Sequence, residues 1–404
     1  MVINTKPRRP SRGKGGPSCS LVIVVILAFA AGAFVVSNAD TVRETITPPP
    51  TPAPTRSASS YAASAALLRE DRETAEAIDL YEQAIRLDGS RVEFYLPLIE
   101  LLTAEGEAEE ALTWAEQAAV LAPENDRVWS GLAAAHLGYG NRLLDLGRPT
   151  EADLSFAEAV RAGRAATDIN ASNALAHAYI AGALAQLGPE QYVNAQEEAE
   201  IAITLEPDNP IVLYYMASVL EVQGFYQSAI EQYHLALDQD SDMVALHIGL
   251  AYNYFALGDR QTAILTFEDA LVIDPDNAEA YDGMGYMYFL IGEYPTAEEH
   301  LRKTVELDAE LVRGHAHLGA ALYRNLNYTE AIPELEFAVE NYQDVTLANS
   351  TYFKMLGFAY YFEGEENCDK AVPLFRDVLE ALPGDQDAID GLEQCRAATL
   401  DLGS

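Results

Sequence analysis

The feature that most constrains this 404-residue chain is a pattern that recurs about every 34 residues. A small residue is followed four positions later by an aromatic or aliphatic residue and seven positions later by another small one. A period of this length indicates a repeat architecture, in which each unit buries its apolar face only against its neighbours. The patterns begin, at spacings of 34, 41, 43, 34, 34, 34, 34 and 40, at Ala77, Ala111, Ala152, Ala195, Ala229, Ala263, Ala297, Ala331 and Ala371.

Each repeat unit contains two segments with helical periodicity. Ala263, Phe267 and Ala270 follow the spacing i, i+4, i+7, which places them on one face of a helix that ends before Pro275. An apolar stripe upstream predicts a second helix, which stops at Gly258. Two antiparallel helices joined by a short glycine turn are therefore expected in every unit.

These positions resemble the signature of the tetratricopeptide repeat, which has Trp, Leu-Gly and Tyr in its first helix and Ala, Phe, Ala and Pro in its second. The last repeat matches at Leu356, Gly357, Tyr360, Gly364, Phe375 and Pro383. The Trp position is occupied in order by Tyr61, Tyr95, His136, His177, Leu213, His247, Tyr281, His315 and Phe353. Thr304 and Val378 depart from the small residue of the pattern, and Leu326 replaces the turn glycine.

The resemblance implies an all-α fold, a right-handed superhelical solenoid of antiparallel helix hairpins. Nine repeats would cover residues 58–384, and their first helices would line a concave inner surface. After them, residues 385–404 carry an apolar stripe that predicts a closing helix, which a terminal repeat needs to cover its apolar surface.

The third repeat, residues 126–170, has seven extra residues before His136 and seven after its second helix. Equal additions at the same end of an antiparallel pair lengthen both helices by roughly 10 Å. We expect the hairpin to protrude, with Trp129 and Leu132 packing near Ala162 and Ala166. Its interpretation stays open between a docking ridge and a neutral duplication.

The N-terminus reads as a targeting region. Residues 1–20 are basic, and residues 21–38 contain sixteen uninterrupted apolar or small residues, a length between that of a signal peptide and that of a spanning helix. Both a retained anchor and a cleaved signal are compatible with it. The basic excess precedes the segment, which predicts a cytoplasmic N-terminus and an exported remainder. Residues 39–57, rich in Pro, Thr and Ser, are then a stiff spacer or a disordered linker.

Charge and cysteine content exclude several classes of function. The chain has 25 Lys and Arg against 63 Asp and Glu, and residues 41–404 carry 20 basic and 62 acidic side chains, a net charge of −42. Such a surface repels a phosphate backbone, so no nucleic acid partner is expected. Three cysteines exclude a Cys-rich zinc site. Cys368 and Cys395 lie toward the same end of the last repeat and the closing helix, and are either a disulfide pair or two free thiols.

Catalytic and metal-binding motifs are not found in the sequence. His136, His177, His247 and His315 recur at one repeat position, which indicates a structural role. A run resembling the start of a calcium loop, around Asp240, lacks both the required glycine and the bidentate glutamate. There is no phosphate-binding loop, nucleophile elbow or dinucleotide fingerprint. We therefore expect no enzyme activity, no cofactor and no small-molecule substrate.

Aromatic residues concentrate on the predicted inner surface of the C-terminal half. They suggest a docking site for a peptide or helix of another protein, because aromatic residues dominate binding hot spots. The alternative is that they pack between neighbouring repeats. These candidate residues are Tyr252, Phe255, Tyr286, Phe289, Tyr323, Phe358, Tyr361 and Phe362.

Arg313, Arg324 and Lys354 fall on the same predicted surface. They are candidates for binding a partner's carboxylate, or else form ion pairs with local acids such as Glu279. The sequence thus predicts a membrane-tethered, extracytoplasmic module that binds a partner protein in its groove. The alternatives are a rigid scaffold that uses the third hairpin or the convex face, and a glycan-binding or accessory subunit of an enzyme complex.

Overall fold

The repeated pattern forms a series of helix pairs. The computed structural model describes residues 56–342 and 344–401, and the residues from Ala58 onward form one unit. Within this part of the chain all regular structure is helical. The predicted basic N-terminus, residues 1–20, the anchor or signal segment, residues 21–38, and nearly all of the linker lie outside the described residues.

Nine helix pairs and one closing helix follow each other. In the first five pairs the helices are α1 Ala58–Glu70, α2 Thr74–Leu87, α3 Val92–Ala104, α4 Ala108–Leu121, α5 Asp126–Asp145, α6 Pro149–Ile169, α7 Ala174–Gln186, α8 Tyr192–Leu205, α9 Pro210–Val222 and α10 Tyr226–Gln239. The remainder are α11 Val244–Ala256, α12 Arg260–Ile273, α13 Ala278–Ile291, α14 Tyr294–Leu307, α15 Val312–Arg324, α16 Tyr328–Asn341, α17 Ser350–Glu363, α18 Cys368–Ala381 and α19 Gln386–Asp401.

Each helix packs on the next, and the first helices of successive pairs also touch one another. The predicted pattern explains this packing, since Ala263, Phe267 and Ala270 are all fully buried. The glycine of the first helix permits a close approach of the second. A Cβ atom on Gly319 would lie 2.6 Å from Leu335 Cγ, a distance too short for two carbon atoms. The part of the chain that the structure describes is thus an all-helical solenoid.

The turn between paired helices requires a left-handed residue. Glycine supplies it at Gly258 and Gly292, with φ of 85° and 87°. In the eighth repeat Leu326 occupies this position with φ of 62°, and in the first repeat Arg72 does so with the same value. These two turns keep the backbone shape of the others at a steric cost.

The Trp position of the repeats shares one hydrogen bond, which corrects our alignment of the third repeat. Its side chain donates to the backbone carbonyl six residues earlier, as Tyr95 Oη does to Gly89 at 3.0 Å and His315 Nε2 to Ala309 at 3.0 Å. In the third repeat Trp129 makes this bond, to Pro123 at 2.7 Å, and not His136. Trp129 lies 34 residues after Tyr95, so the period continues unbroken to this point and the extra residues come later.

The third hairpin is longer than the others, as its sequence predicts, but its added turns do not protrude. Helices α5 and α6 have 20 and 21 residues, against 13 to 14 in the other pairs. Leu132, Ala133 and Ala162 belong to the core shared with the first two repeats, and no residue from 128 to 140 is exposed. The added turns carry mainly small residues, so the neighbouring hairpins close around them. The expected docking ridge is therefore corrected.

The solenoid curls until distant repeats meet. Arg142, near the end of α5, forms ion pairs with Asp308 and Glu310 at the start of the eighth repeat. Gly147 lies so close to Asn341 that a Cβ atom would stand 2.5 Å from its carbonyl oxygen. Arg72 of the first repeat similarly reaches Asp242, at 3.0 Å. Repeats five positions apart thus touch each other.

The closing helix α19 covers the last repeat, with Ala388 and Cys395 fully or almost fully buried. A disulfide joins Cys368 of α18 to Cys395, with Cα atoms 5.3 Å apart. Among the described residues, no helix has the length and apolarity needed to cross a membrane.

Candidate partner-binding site

A small pocket opens on the inner surface where α13, α15 and α17 meet. Its volume is about 120 Å³. Helix α13 contributes Tyr286 and Phe289, and α15 contributes His317 and Ala320. The remaining wall comes from the ninth repeat, as Ala348, Thr351, Tyr352 and Met355. We call these eight residues the inner pocket.

The base and mouth of the inner pocket differ in exposure. Ala320 is buried, whereas Ala348 and Thr351 are exposed at the mouth. Ala348 lies in the connection between α16 and α17, which spans residues 342–349 and is twice as long as the four-residue connection of residues 308–311. The longer connection therefore contributes part of the pocket wall. Sequence analysis missed it, although the 40-residue spacing before Ala371 contains the signal.

The rings of the inner pocket are held by stacking. Tyr286 stacks on His317 with centroids 4.3 Å apart and lies nearly parallel to Phe289, at 6.1 Å. Tyr352 is tilted by 57° against His317, with centroids 6.2 Å apart. Burial raises the pKa of Tyr352, so its hydroxyl is neutral at physiological pH. The pocket is thus bordered by three aromatic side chains and an imidazole ring.

An ion network lies behind the imidazole. His317 Nδ1 donates to Asp282 Oδ1 at 2.7 Å, which leaves Nε2 without a hydrogen-bond partner among the described residues. Asp282 is almost fully buried and also accepts a bond from Arg313 Nε at 3.1 Å. Burial alone would raise the pKa of Asp282, but His317 and Arg313 hold it below its usual value. The carboxylate therefore stays charged and fixes the orientation of His317.

Arg313 is surrounded by three carboxylates. Besides Asp282, its guanidinium pairs with Glu279 at 3.2 Å and with Asp145 of the third repeat at 3.2 Å. Burial raises the pKa of Asp145 to about 6, against the opposing attraction of Arg313. The local ion pairs that the sequence offered as the alternative for Arg313 are therefore present, including the one with Glu279. Arg313 also links the third repeat to the eighth.

The other two basic candidates are also engaged by neighbouring side chains. Lys354 Nζ lies 2.8 Å from Asp385 and 3.2 Å from Asp387, so it holds the closing helix. The guanidinium of Arg324 lies 4.8 Å from the ring centre of Tyr294 and donates to its hydroxyl. All three cations thus have partners within the chain, and their role toward a partner's carboxylate stays a prediction.

The eight candidate aromatic residues fall into two groups. Tyr252, Phe255, Tyr286 and Phe289 lie around the sixth and seventh repeats, and Phe255 meets Tyr286 at 6.2 Å. The second group includes Tyr323, Phe358, Tyr361 and Phe362, which Tyr328 connects by ring contacts. Phe362 is 48% exposed, while the other members of both groups are half-buried. Tyr252 packs edge-on against buried Phe267 at 5.2 Å, so packing between helices accounts for it.

Sequence reasoning also missed His317, Thr351, Tyr352 and Met355 as parts of the site. His317 had a usable signal, because it stands 34 and 68 residues after Gly283 and Gly249. A large polar residue at a position that is otherwise glycine indicates a local change of function. Among the described residues, no group of His, Cys, Asp and Glu is arranged to hold a metal ion.

Comparison with known protein families identifies the repeats. Two stretches, residues 68–135 and 248–311, match models of the tetratricopeptide repeat. With the helix pairs described above, they show that the chain is a helical repeat protein. Its repeats are tetratricopeptide repeats. The search of curated proteins found no match to the chain.

Solved structures share the fold at low sequence identity. Human IFIT1, as a dimer with m7Gppp-AAAA, is 17% identical, with 84% of this chain and 81% of that chain covered and a TM-score of 0.62. The same human protein with PPP-AAAA is 18% identical, covers 85% and 83%, and has a TM-score of 0.60. The Cut9-Hcn1 hetero-tetramer of the APC/C is 14% identical, with 85% and 78% covered and a TM-score of 0.50. At these identities the likeness extends to the fold alone.

Proposed function

We propose that this protein binds a segment of another protein on the inner surface of its C-terminal repeats, with the inner pocket as the anchor point. Tetratricopeptide repeats suggest a scaffold for protein interaction, and such repeat proteins are generally not enzymes. The observation that supports this location is the pocket itself, a concave site with aromatic walls and one imidazole. Aromatic side chains in such pockets supply much of the binding energy in protein interfaces.

The partner is a protein rather than a nucleic acid. The human structural neighbour contains m7Gppp-AAAA, but its likeness to this chain is limited to the fold. Residues 41–404 have a net charge of −42, and the cations near the pocket are already paired with acids. A phosphate backbone would therefore meet repulsion without compensating contacts.

A tether and an extracytoplasmic location are further parts of the proposal. They rest on the apolar residues 21–38 and the basic residues before them. The Cys368–Cys395 disulfide supports them, because disulfides persist mainly in oxidising compartments. Protease added to intact cells should degrade the solenoid, and deletion of residues 21–38 should leave it protected inside. A solenoid resistant in intact cells but degraded after lysis would contradict this location.

Binding through the inner pocket is tested by filling it. Thr351→Trp places a large ring at the pocket mouth, where the native side chain is exposed, so the fold should be retained. Thr329→Trp makes the same change at an exposed threonine of α16 and serves as the matched control. In capture experiments with the full chain and extracts of its source cell, the specific partner should be lost only with Thr351→Trp. Retention by both variants at unchanged melting temperature would contradict the proposed site.

A further inference from the structure

The walls of the inner pocket favour one chemical class of ligand group. Tyr286, Phe289 and Tyr352 border it together with His317, and no lysine or arginine does. Aromatic faces attract cations within about 6 Å of the ring centre, most strongly when the cation has left water. Met355 adds a polarizable thioether to the same wall. These side chains offer contact to an organic cation and no charge that would repel it.

The charge behind the pocket has the sign that a cation requires. Asp145, Glu279 and Asp282 surround the single guanidinium of Arg313, so three carboxylates oppose one positive group. His317, which lines the pocket, is bonded directly to Asp282. Residues 41–404 as a whole have a charge of −42, which attracts basic partners over longer distances.

The size of the pocket limits what enters it. A volume of about 120 Å³ is somewhat smaller than the cavity of roughly 150 Å³ that holds one benzene molecule. The pocket therefore accommodates the end of one side chain rather than a cofactor or a sugar chain. An ammonium group on an aliphatic stem satisfies the size, the charge and the aromatic walls together.

We propose that the inner pocket binds the ammonium group of a lysine side chain on the partner segment. This inference rests on the proposed function, because it names the chemistry of the partner at the same site. The alkyl stem of the lysine contacts the aromatic rings, and the ammonium charge interacts with their faces and with the acidic network behind His317.

Small probes test the ligand chemistry without a partner protein. Choline carries a quaternary ammonium group, and 3,3-dimethylbutan-1-ol has the same shape with a neutral carbon in place of the nitrogen. The full chain, in a maltoside detergent and labelled at the methionine methyl groups, is titrated with each compound by NMR. The signal of Met355, assigned with Met355→Leu, should shift with choline, and the neutral analogue should bind at least tenfold more weakly.

Variants separate specific binding from general attraction to an acidic protein. Thr351→Trp should abolish the choline response, and Ala348→Trp provides a second blocked pocket if the first variant is poorly folded. Thr329→Trp and Phe362→Ala, outside the pocket, should bind choline normally. Equal binding of both probes, no binding of choline, or binding unaffected by both blocked variants would overturn the inference. The capture experiment with Thr351→Trp would still decide the proposed function independently.

Discussion

At the scale of single residues, one hydrogen bond ties each inter-repeat turn to the following helix. The donor changes between repeats, from the hydroxyl of Tyr95 to the indole of Trp129 and the imidazole of His315, while the acceptor is always the carbonyl six residues earlier. A carbonyl can only accept, so His315 Nε2 carries a proton. The repeat position therefore conserves a geometry that several residue types can meet.

Tyr95→Phe should lower the free energy of unfolding by about 1 kcal/mol, because it removes this bond without changing the ring. Tyr281→Phe is the matched control, since Tyr281 occupies the same position and its hydroxyl has no hydrogen bond in the described part of the chain. Urea denaturation of both variants measures the difference. Equal losses in the two variants would contradict the role of the bond.

Asp145 should make stability depend on pH. Its pKa of about 6 in the fold exceeds the ordinary value of 3.8, so the folded state binds more protons between these values and becomes less stable as pH rises through them. A pKa difference of about 2 corresponds to at most about 3 kcal/mol. Relative to Asp145→Asn, the native protein should lose up to this amount between pH 4 and pH 7.

Unfolding of both proteins in urea, measured at pH 4, 5, 6 and 7, checks this prediction. The comparison with Asp145→Asn removes the contributions of all other titrating groups that the variant leaves unchanged. A stability difference that is independent of pH would show that burial does not perturb Asp145.

At the scale of helices and turns, the eighth repeat retains a steric cost that glycine would remove. Leu326 has φ of 62° and is 72% exposed, so its side chain contributes little packing. Leu326→Gly should stabilise the protein by about 1 kcal/mol, since the left-handed conformation costs roughly 1–2 kcal/mol with a Cβ atom. Leu347→Gly, at an 81% exposed leucine without positive φ, should not stabilise it. Melting temperatures of the two variants distinguish these outcomes.

The disulfide should stabilise the C-terminal end of the solenoid. It closes a loop of 27 residues, for which the chain-entropy model gives about 3.5 kcal/mol. In the double variant Cys368→Ser, Cys395→Ser, hydrogen exchange should become faster in α18 and α19. Exchange in α1 and α2, at the other end of the chain, is the internal control and should not change.

At the scale of the whole solenoid, contacts between distant repeats close the superhelix. Arg142→Glu places a negative charge beside Asp308 and Glu310, replacing attraction by repulsion in a half-buried site. We expect a loss of about 2 kcal/mol and a larger radius of gyration in solution scattering. Arg161→Glu is the control, because Arg161 pairs only with Glu158 on its own helix and is 77% exposed. An unchanged radius for Arg142→Glu would contradict the closure.

The contrast between local and distant contacts explains what could be predicted from the sequence. Helix pairs follow from periodicity at i, i+4 and i+7, as in Ala263, Phe267 and Ala270, so the all-helical fold was accessible. Contacts such as Arg313 with Asp145 join residues that no repeat spacing relates. They arise from the curvature of the solenoid, which small differences in packing between neighbouring hairpins determine.

The candidate site shows the same division. Tyr286 and Phe289 were identified as candidates from their repeat positions, and both line the inner pocket. Thr351 and Tyr352 were missed because the longer connection before α17 shifts the ninth repeat relative to the eighth. The protrusion of the third hairpin was wrong because added helical turns of small residues can be enclosed by neighbours, which spacing alone does not reveal.

The most direct test of the account is hydrogen exchange of the full chain with and without its captured partner. Binding at the inner pocket should slow exchange in peptides that cover Tyr286–Phe289, His317–Ala320 and residues 348–355, and leave the outer helices α10 and α12 unchanged. Protection confined to the outer helices, or to the first four repeats, would contradict a binding site on the inner surface of the C-terminal half.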